Sequence, residues 1–379
     1  MSSRRSQSDA LEAFAWSRQV ERSSTFLPSR WRQQPVRYTT RIGYRSDLIT
    51  DEVAVCADVF LDHATGRRLI DDARATGQGS TRSAADVTLL GVMRGDQFRF
   101  RSFYLSGWRD GQPARTVVAH ERADRGVATP LVKGSAILRS LAGRTQLRIP
   151  RVLDTGLVQD RRGGRVMDFA VEEAIDGVAI TQDQAAAVAP ELLAGLHDLW
   201  RAEEVRHRPM DSKVQAKARL AMIDLLDNGG GFTLWPTGVD RLTTGKKALG
   251  LLDSDAVVSS GLSHGDAGWG NVLRLKSDGS LALLDWEHAG RRLLSHDVVK
   301  VLTSSGIPPA EWPALHPPIP GATGGVAPAH LQLAMGLIVF LGGWRSRTLR
   351  ARKRGSAPAN QRRTHALLNA LSTLLNGAR

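Results

Sequence analysis

The chain has 379 residues, of which 51 are Lys or Arg and 38 are Asp or Glu, for a formal charge of +13, and 42% are hydrophobic. This balance excludes a chain dominated by disorder, and a length of this order suits about two domains with enough core to stand without disulfides. The single cysteine, Cys56, excludes an internal disulfide framework and a cysteine-based zinc cluster, and it favours a reducing compartment, with the cytoplasm as the expected location.

Arg4 and Arg5 are followed by no apolar run long enough for a signal peptide. The charge sits mostly at the two ends. Residues 1–50 hold nine arginines against four acids, and residues 341–379 hold eight arginines and Lys353 with no acid, which leaves residues 51–340 within one charge of neutral.

In chain order, residues 1–50 lack a sustained period and read as an irregular basic arm. Val87 to Met93, Phe98 to Phe103 and Arg115 to His120 read as three short strands, with turn signals at Arg94-Gly95-Asp96 and at Ser106 to Gln112, which predicts an antiparallel meander. Thr129-Pro130 has the form of a helix start, and Leu131, Ile137, Leu138 and Leu141 share one helical face that ends near Gly143. Ile149 to Leu153 and Val166 to Ile175 read as two more strands.

The second half is patterned for helices. Thr181 and Gln184 form a capping-box pattern ahead of Val188, Leu192, Leu193, Leu196, Leu199 and Trp200, with Pro190 marking a restart. Seven prolines and four glycines between Gly306 and Pro328 predict a long irregular loop. Leu331 to Trp344 is apolar but short of the roughly 20 residues that span a bilayer, so it reads as a buried helix. Thr364 to Leu375 has the pattern of a last short helix.

The chemistry concentrates in Ser263 to Glu287. Asp266 and Asn271 stand five apart in a glycine-rich loop, and Asp285 follows a hairpin that turns at Ser277-Asp278-Gly279. Phosphoryl transfer needs such a set: one carboxylate to orient or take the proton of an attacking hydroxyl, and hard oxygen ligands to hold Mg²⁺ on nucleotide phosphates. Asp266 suits the first task, and Asn271 and Asp285 suit the second.

His264-Gly265-Asp266 with Asn271 resembles the HGD-x4-N catalytic loop of the aminoglycoside phosphotransferase and choline kinase-like families, and Asp285-Trp286-Glu287 resembles their metal motif. Leu192 to His197, Ser295-His296-Asp297, and Ile137 to Leu141 followed by Ile149 to Leu153 extend the resemblance over roughly residues 87–345. It implies an α+β, protein kinase-like two-lobe fold. Beyond the arm at 1–50, residues 51–172 would form a small antiparallel-sheet N-lobe with one helix, and 173–379 a mostly helical C-lobe carrying the catalytic loop and the basic C-terminal segment. ATP would lie between the lobes, with Val171 to Ile175 as the hinge and the backbone of Glu173, Ala174 and Ile175 holding adenine.

The pattern departs from the family at the N-lobe lysine that normally pairs with a helix Glu. His120 falls where that lysine is expected and Gly134 near the expected Glu, and Lys133 is the only lysine before residue 150. Lys133 paired with Glu121, or His120, Arg115 or Arg122, would then supply charge to the phosphates. The alternative is a catalytically weak pseudokinase that binds an anionic partner through its basic ends, residues 345–379 above all. A second competing motif, Gly261-Leu262-Ser263-His264-Gly265, matches the nucleophile elbow of hydrolases, which requires a strand, a sharp turn and then a helix. Glu287 reads equally as a metal contact or a local cap.

The expected activity is an ATP- and Mg²⁺-dependent transfer of a phosphoryl group to a hydroxyl of a small molecule. From Val298 to Arg379 the only acid is Glu311, which disfavours a polycationic acceptor and predicts a neutral or anionic one, such as a sugar, a nucleoside-like compound or an uncharged antibiotic. Antibiotic resistance and metabolism are both compatible with that chemistry.

Overall fold

The computed structural model describes residues 37–43, 88–94, 98–104, 115–159, 166–173, 175, 177–228, 235–353 and 357–377. The chain divides into two compact units. One takes in the residues up to Gly143, Leu147–Ile180 and Gly270–His288, and the other takes in Arg144–Gln146, Thr181–Trp269 and Ala289 onward. Among the described residues no helix is long and apolar enough to cross a membrane.

The first unit is built on a six-stranded antiparallel sheet of β1 (Arg37–Gly43), β2 (Thr88–Arg94), β3 (Phe98–Tyr104), β4 (Arg115–Glu121), β5 (Val152–Gln159) and β6 (Val166–Glu173). The order is β1-β2-β3-β4-β6-β5. The predicted meander is β2 to β4, whose register runs Thr88 against Tyr104 and Arg99 against His120. β1 lies within the segment read as an irregular arm. Its sequence, RYTTRIG, is rich in β-branched and aromatic residues and pairs throughout with β2.

Helix α1 (Pro130–Leu141) starts where Pro130 predicts, with Thr129 extended at φ −72° and ψ 163°. The start is secured by Asp168 rather than by the Thr129 hydroxyl, since the Thr129 N–H donates to Asp168 Oδ2 at 2.7 Å. The same carboxylate accepts from Arg122 Nε at 3.0 Å and Nη2 at 2.6 Å, so the buried acid is paired. Leu131, Gly134, Ser135, Leu138 and Leu141 form the buried face of α1. A second, three-stranded sheet of β7 (Gly177–Ala179), β10 (Val272–Leu275) and β11 (Leu281–Leu283) completes this unit, with β10 in the centre.

The second unit is mainly helical. Helix α2 (Ala185–Ala202) begins after a turn in which the Thr181 N–H donates to Gln184 Oε1 at 3.1 Å, so the capping pattern marks the approach rather than the first helical turn. Pro190 does not restart the helix: α2 is continuous, and the proline sits early enough to cost it one backbone bond. β8 (Arg206–Pro209), β9 (Val257–Ser263) and β12 (Gly290–Leu293) form a small sheet centred on β9.

Helices α3 (Ser212–Asn228), α4 (Arg241–Leu252) and α5 (Ser295–Leu302) follow, then the four-residue α6 (Trp312–Leu315) and α7 (Ala329–Leu341). The chain ends with α8 (Trp344–Lys353) and α9 (Ala357–Asn376). Apolar α7 is the buried helix predicted from its composition, and α3, α4, α5 and α9 pack on it. Gly342 and Gly343 end it. The proline-rich stretch is more ordered than its composition suggests. It holds a 3₁₀ turn and α6, is pinned by Trp312 Nε1 donating to the Ile307 carbonyl at 2.9 Å, and returns to β9 through the Ala327 N–H on the Val257 carbonyl at 2.8 Å.

Candidate active site

In the helical unit, β9 delivers Ser263 to a tight turn. Gly265 takes φ +80°, a conformation that a side chain would strain. Two backbone N–H groups of this turn, those of His264 and Gly265, donate to the carboxylate of Asp297 at 2.6 and 2.9 Å. Asp297 is fully buried in the first turn of α5. Burial opposes its ionisation, but the neighbouring His296, whose Nδ1 lies 3.7 Å away, together with His264 and the Gly265 N–H, outweighs that and holds its carboxyl below the usual carboxylate range. His264 is itself buried, and its Nδ1 accepts from the Asp266 N–H at 3.2 Å. The histidine therefore braces the loop backbone.

Asp266 is left partly exposed at the end of this turn, with Lys300 Nζ of α5 only 2.5 Å from its Oδ1. Lys300 was not singled out from the sequence. It lies 34 positions beyond Asp266, and only the return of α5 to the loop reveals it.

Ser263 does not serve as a hydrolase nucleophile. It is buried, its Oγ accepts from the Gly265 N–H at 3.1 Å, and no helix follows the turn, only the short 3₁₀ segment Trp269–Asn271.

In the sheet unit, the Leu284 N–H donates to the Asn271 carbonyl at 2.8 Å, which extends the β10–β11 ladder and sets Asn271 and Asp285 at the same end of the hairpin. Asp285 has φ +62° and is the one non-glycine residue with positive φ among the described residues. Aspartate tolerates this conformation better than most side chains, and such outliers concentrate where a backbone is held for function. Asn271 and Asp285 offer hard oxygens, and no group of three or more His, Cys, Asp and Glu able to hold a metal occurs among the described residues. An amide and a carboxylate fit Mg²⁺, which commonly takes few protein ligands and completes its octahedron with phosphates and water.

After Asp285, Trp286 is buried and its Nε1 donates to the Leu283 carbonyl at 2.8 Å. Helix α1 approaches this turn at Gly134, where an added Cβ would stand 2.6 Å from the Trp286 carbonyl oxygen. A glutamate cannot occupy this position without moving one backbone off the other. The carboxylate comes instead from Glu287, whose Oε2 lies 3.3 Å from Nε2 of buried His120 and whose Oε1 lies 3.3 Å from Nε2 of His288. Sequence reading offered a metal contact or a cap for Glu287; the structure gives it an imidazole at each oxygen. Asp285, Glu287 and Glu172 also line a recess with Ser135 and Leu138 of α1.

Lys133 is exposed on α1, and the side chain of Glu121, its suggested partner, lies outside the described residues. Glu173 ends β6, takes the Arg148 guanidinium on Oε1 at 2.6 Å, and donates its N–H to the Arg151 carbonyl at 2.9 Å. Ile175 is buried with Leu273 and Ala282. Ala174 lies outside the described residues.

Residues 94–333 match the model of the phosphotransferase enzyme family. No curated protein matches. Among solved structures, the GDP complex of aminoglycoside 2'-phosphotransferase-IIIa is 16% identical, with a TM-score of 0.46 over 76% of this chain and 90% of that one. Choline kinase LicA from Streptococcus pneumoniae is 13% identical, with a TM-score of 0.43 over 71% and 89%. Macrolide 2'-phosphotransferase MphH from Brachybacterium faecium is 18% identical, with a TM-score of 0.38 over 80% and 98%. With a family match over more than half its length, this α+β chain belongs to the phosphotransferase enzyme family and is a phosphotransferase with an alcohol group as acceptor.

Proposed function

We propose that the chain is an ATP- and Mg²⁺-dependent small-molecule kinase that transfers the γ-phosphoryl group to a hydroxyl of a neutral or anionic acceptor. The observation that carries this reading is the His264–Asp266 turn, in which a buried carboxylate holds two successive backbone N–H groups and leaves Asp266 partly exposed against Lys300. A rigid turn with one partly exposed carboxylate suits the positioning on which phosphoryl transfer depends.

In this reading Asp266 orients the acceptor hydroxyl and takes its proton as the oxygen attacks. Lys300 fixes the Asp266 carboxylate and contributes positive charge beside the reacting group. Asn271 and Asp285 would hold Mg²⁺, which when bound neutralises charge on the nucleotide phosphates. The backbone of Glu173, Ala174 and Ile175 would receive adenine. His120, kept in place by Glu287, would take over the role of the missing lysine, with Lys133 as the other candidate cation.

The test is Asp266→Asn, which keeps the shape and removes the base. ADP release should fall by about 10³-fold or more while ATP affinity, measured by calorimetry, stays near that of wild type. Unchanged turnover would remove Asp266 from the mechanism.

A further inference from the structure

Helix α5 meets the loop around Asp266 at three points. Asp297, in its first turn, takes the backbone N–H groups of His264 and Gly265. Lys300, three residues on and therefore on the same helical face, sets its Nζ 2.5 Å from Asp266 Oδ1. The Lys300 stem lies beside Gly268, where an added Cβ would stand 3.4 Å from Cε. The ammonium is also 5.5 Å from the centroid of the buried Phe340 ring of α7. With a side chain only 20% exposed, a carboxylate at its tip and a ring in range, Lys300 is a fixture of this loop.

That placement spends the charge of Asp266. A group close to both partners of an ion pair feels attraction to the carboxylate and repulsion from the ammonium in similar measure. An alcohol that gives its hydroxyl to Asp266 brings the substituents of its neighbouring carbons within a few ångströms of that carboxylate, and so of Nζ. A hydroxyl or a hydrogen there is indifferent to the balance. A cationic amine there gives up hydration and meets a carboxylate whose charge Lys300 already offsets. The Asp266 charge also acts on Arg363 of α9, raising a pKa that the surrounding protein lowers by more. Asp297 offers the amine no substitute, since it is fully buried and bonded to two backbone N–H groups.

We propose that Lys300 determines acceptor specificity, keeping cationic amines off the carbons next to the hydroxyl that is phosphorylated. This rests on the reading of Asp266 as the residue that receives the hydroxyl. The class excluded is that of amino alcohols and amino sugars whose amine adjoins the reacting hydroxyl, and the class accepted is that of alcohols with uncharged neighbours at that position. An amine more than about 10 Å from the pair is screened by salt and falls outside the filter.

The test uses the full chain and two matched probes, glucose and glucosamine, which differ in carrying a hydroxyl or an ammonium beside a hydroxyl-bearing carbon. Ligand-observed nuclear magnetic resonance titration without nucleotide, at a pH where the amine is charged, gives the ratio of the two affinities. The wild type should bind glucosamine no more tightly than glucose. Lys300→Met keeps the stem and removes the charge, and it should shift the ratio about tenfold or more toward glucosamine, by an amount that shrinks as salt is added. Where Lys300→Met does not melt cooperatively, Lys300→Gln carries the same measurement. Lys300→Arg should keep the wild-type ratio, and Lys300→Met combined with Asp266→Asn should lose the shift. A Lys300→Met ratio equal to that of wild type, glucosamine binding to neither protein, a shift as large in Lys300→Arg, or a shift that persists without the Asp266 carboxylate would overturn the proposal. The shift together with unchanged ADP release in Asp266→Asn keeps the filter and overturns only the role given to Asp266 in transfer. Lost ADP release in Asp266→Asn with no shift in Lys300→Met keeps that role and overturns the filter.

Discussion

Asp285 occupies a left-handed conformation at φ +62° that costs most L-residues about 1–2 kcal/mol, and aspartate pays less of that because its short polar side chain can bond locally. Asp285→Asn should therefore keep stability within about 0.5 kcal/mol of wild type, while Asp285→Ala should lose roughly 1 kcal/mol on thermal or urea unfolding. Both should lower ADP release by about 100-fold or more, since neither supplies a charged oxygen for Mg²⁺. An Asn variant as active as wild type would remove Asp285 from the proposed metal site. Asp297 acts differently, through the backbone of the His264–Asp266 turn. Its folded-state pKa is depressed, so its contribution to stability is fully present above the unfolded value near 4 and is lost as pH falls through the lower folded value. The stability gap between wild type and Asp297→Asn should stay constant from pH 7 down to about pH 4 and close below it. A gap that widened toward acid would mean that the carboxyl is protonated in the folded protein.

Close backbone approaches decide how the elements pack, and here the sequence was least readable. Gly336 lies in the middle of apolar α7, where glycine is a poor helix former. The reason is its neighbour: an added Cβ would stand 2.8 Å from Ser295 Oγ and 2.9 Å from the Ser295 carbonyl oxygen, at the start of the helix that carries Asp297 and Lys300. Gly336→Ala should cost about 1–3 kcal/mol of stability by forcing α7 from α5, and the accompanying loss of ADP release should exceed what the lower melting temperature explains. A variant as stable and active as wild type would show that α5 has room to shift. Local patterns in the sequence foretold α1, the meander, the β10–β11 hairpin and buried α7, because each is set by neighbours a few residues apart. The tight turn before Asp266 and the shared hairpin end of Asn271 and Asp285 follow from equally local patterns. Gly134 against Trp286, His120 with Glu287, and Lys300 and Arg363 around Asp266 join residues from 34 to 167 positions apart, and no local period encodes such pairs.

At the scale of the whole chain, the basic C-terminal segment is not a detachable tail. Arg345 is paired with Asp224 and Arg347 is tied to the Phe340 carbonyl, so part of its charge is used internally. Helix α9 buries Leu367, Leu368, Leu371 and Leu374 to 2% exposure or less, and it packs on α7 and α4. At about 2 kcal/mol for each leucine, removing them costs roughly 8 kcal/mol, as much as the entire stability of many domains. Deleting residues 357–379 should therefore abolish cooperative melting of the helical unit and yield aggregating protein, whereas Arg362→Glu, an exposed site on the same helix, should shift stability by no more than about 0.5 kcal/mol. A truncated chain that melts like wild type and still releases ADP would show that α9 is dispensable. The contrast also fixes how an anionic macromolecular partner of this segment must be sought. Loss of DNA or lipid binding on truncation would reflect a lost fold, so charge reversal at exposed arginines, read at several salt concentrations, is the measurement that isolates surface charge.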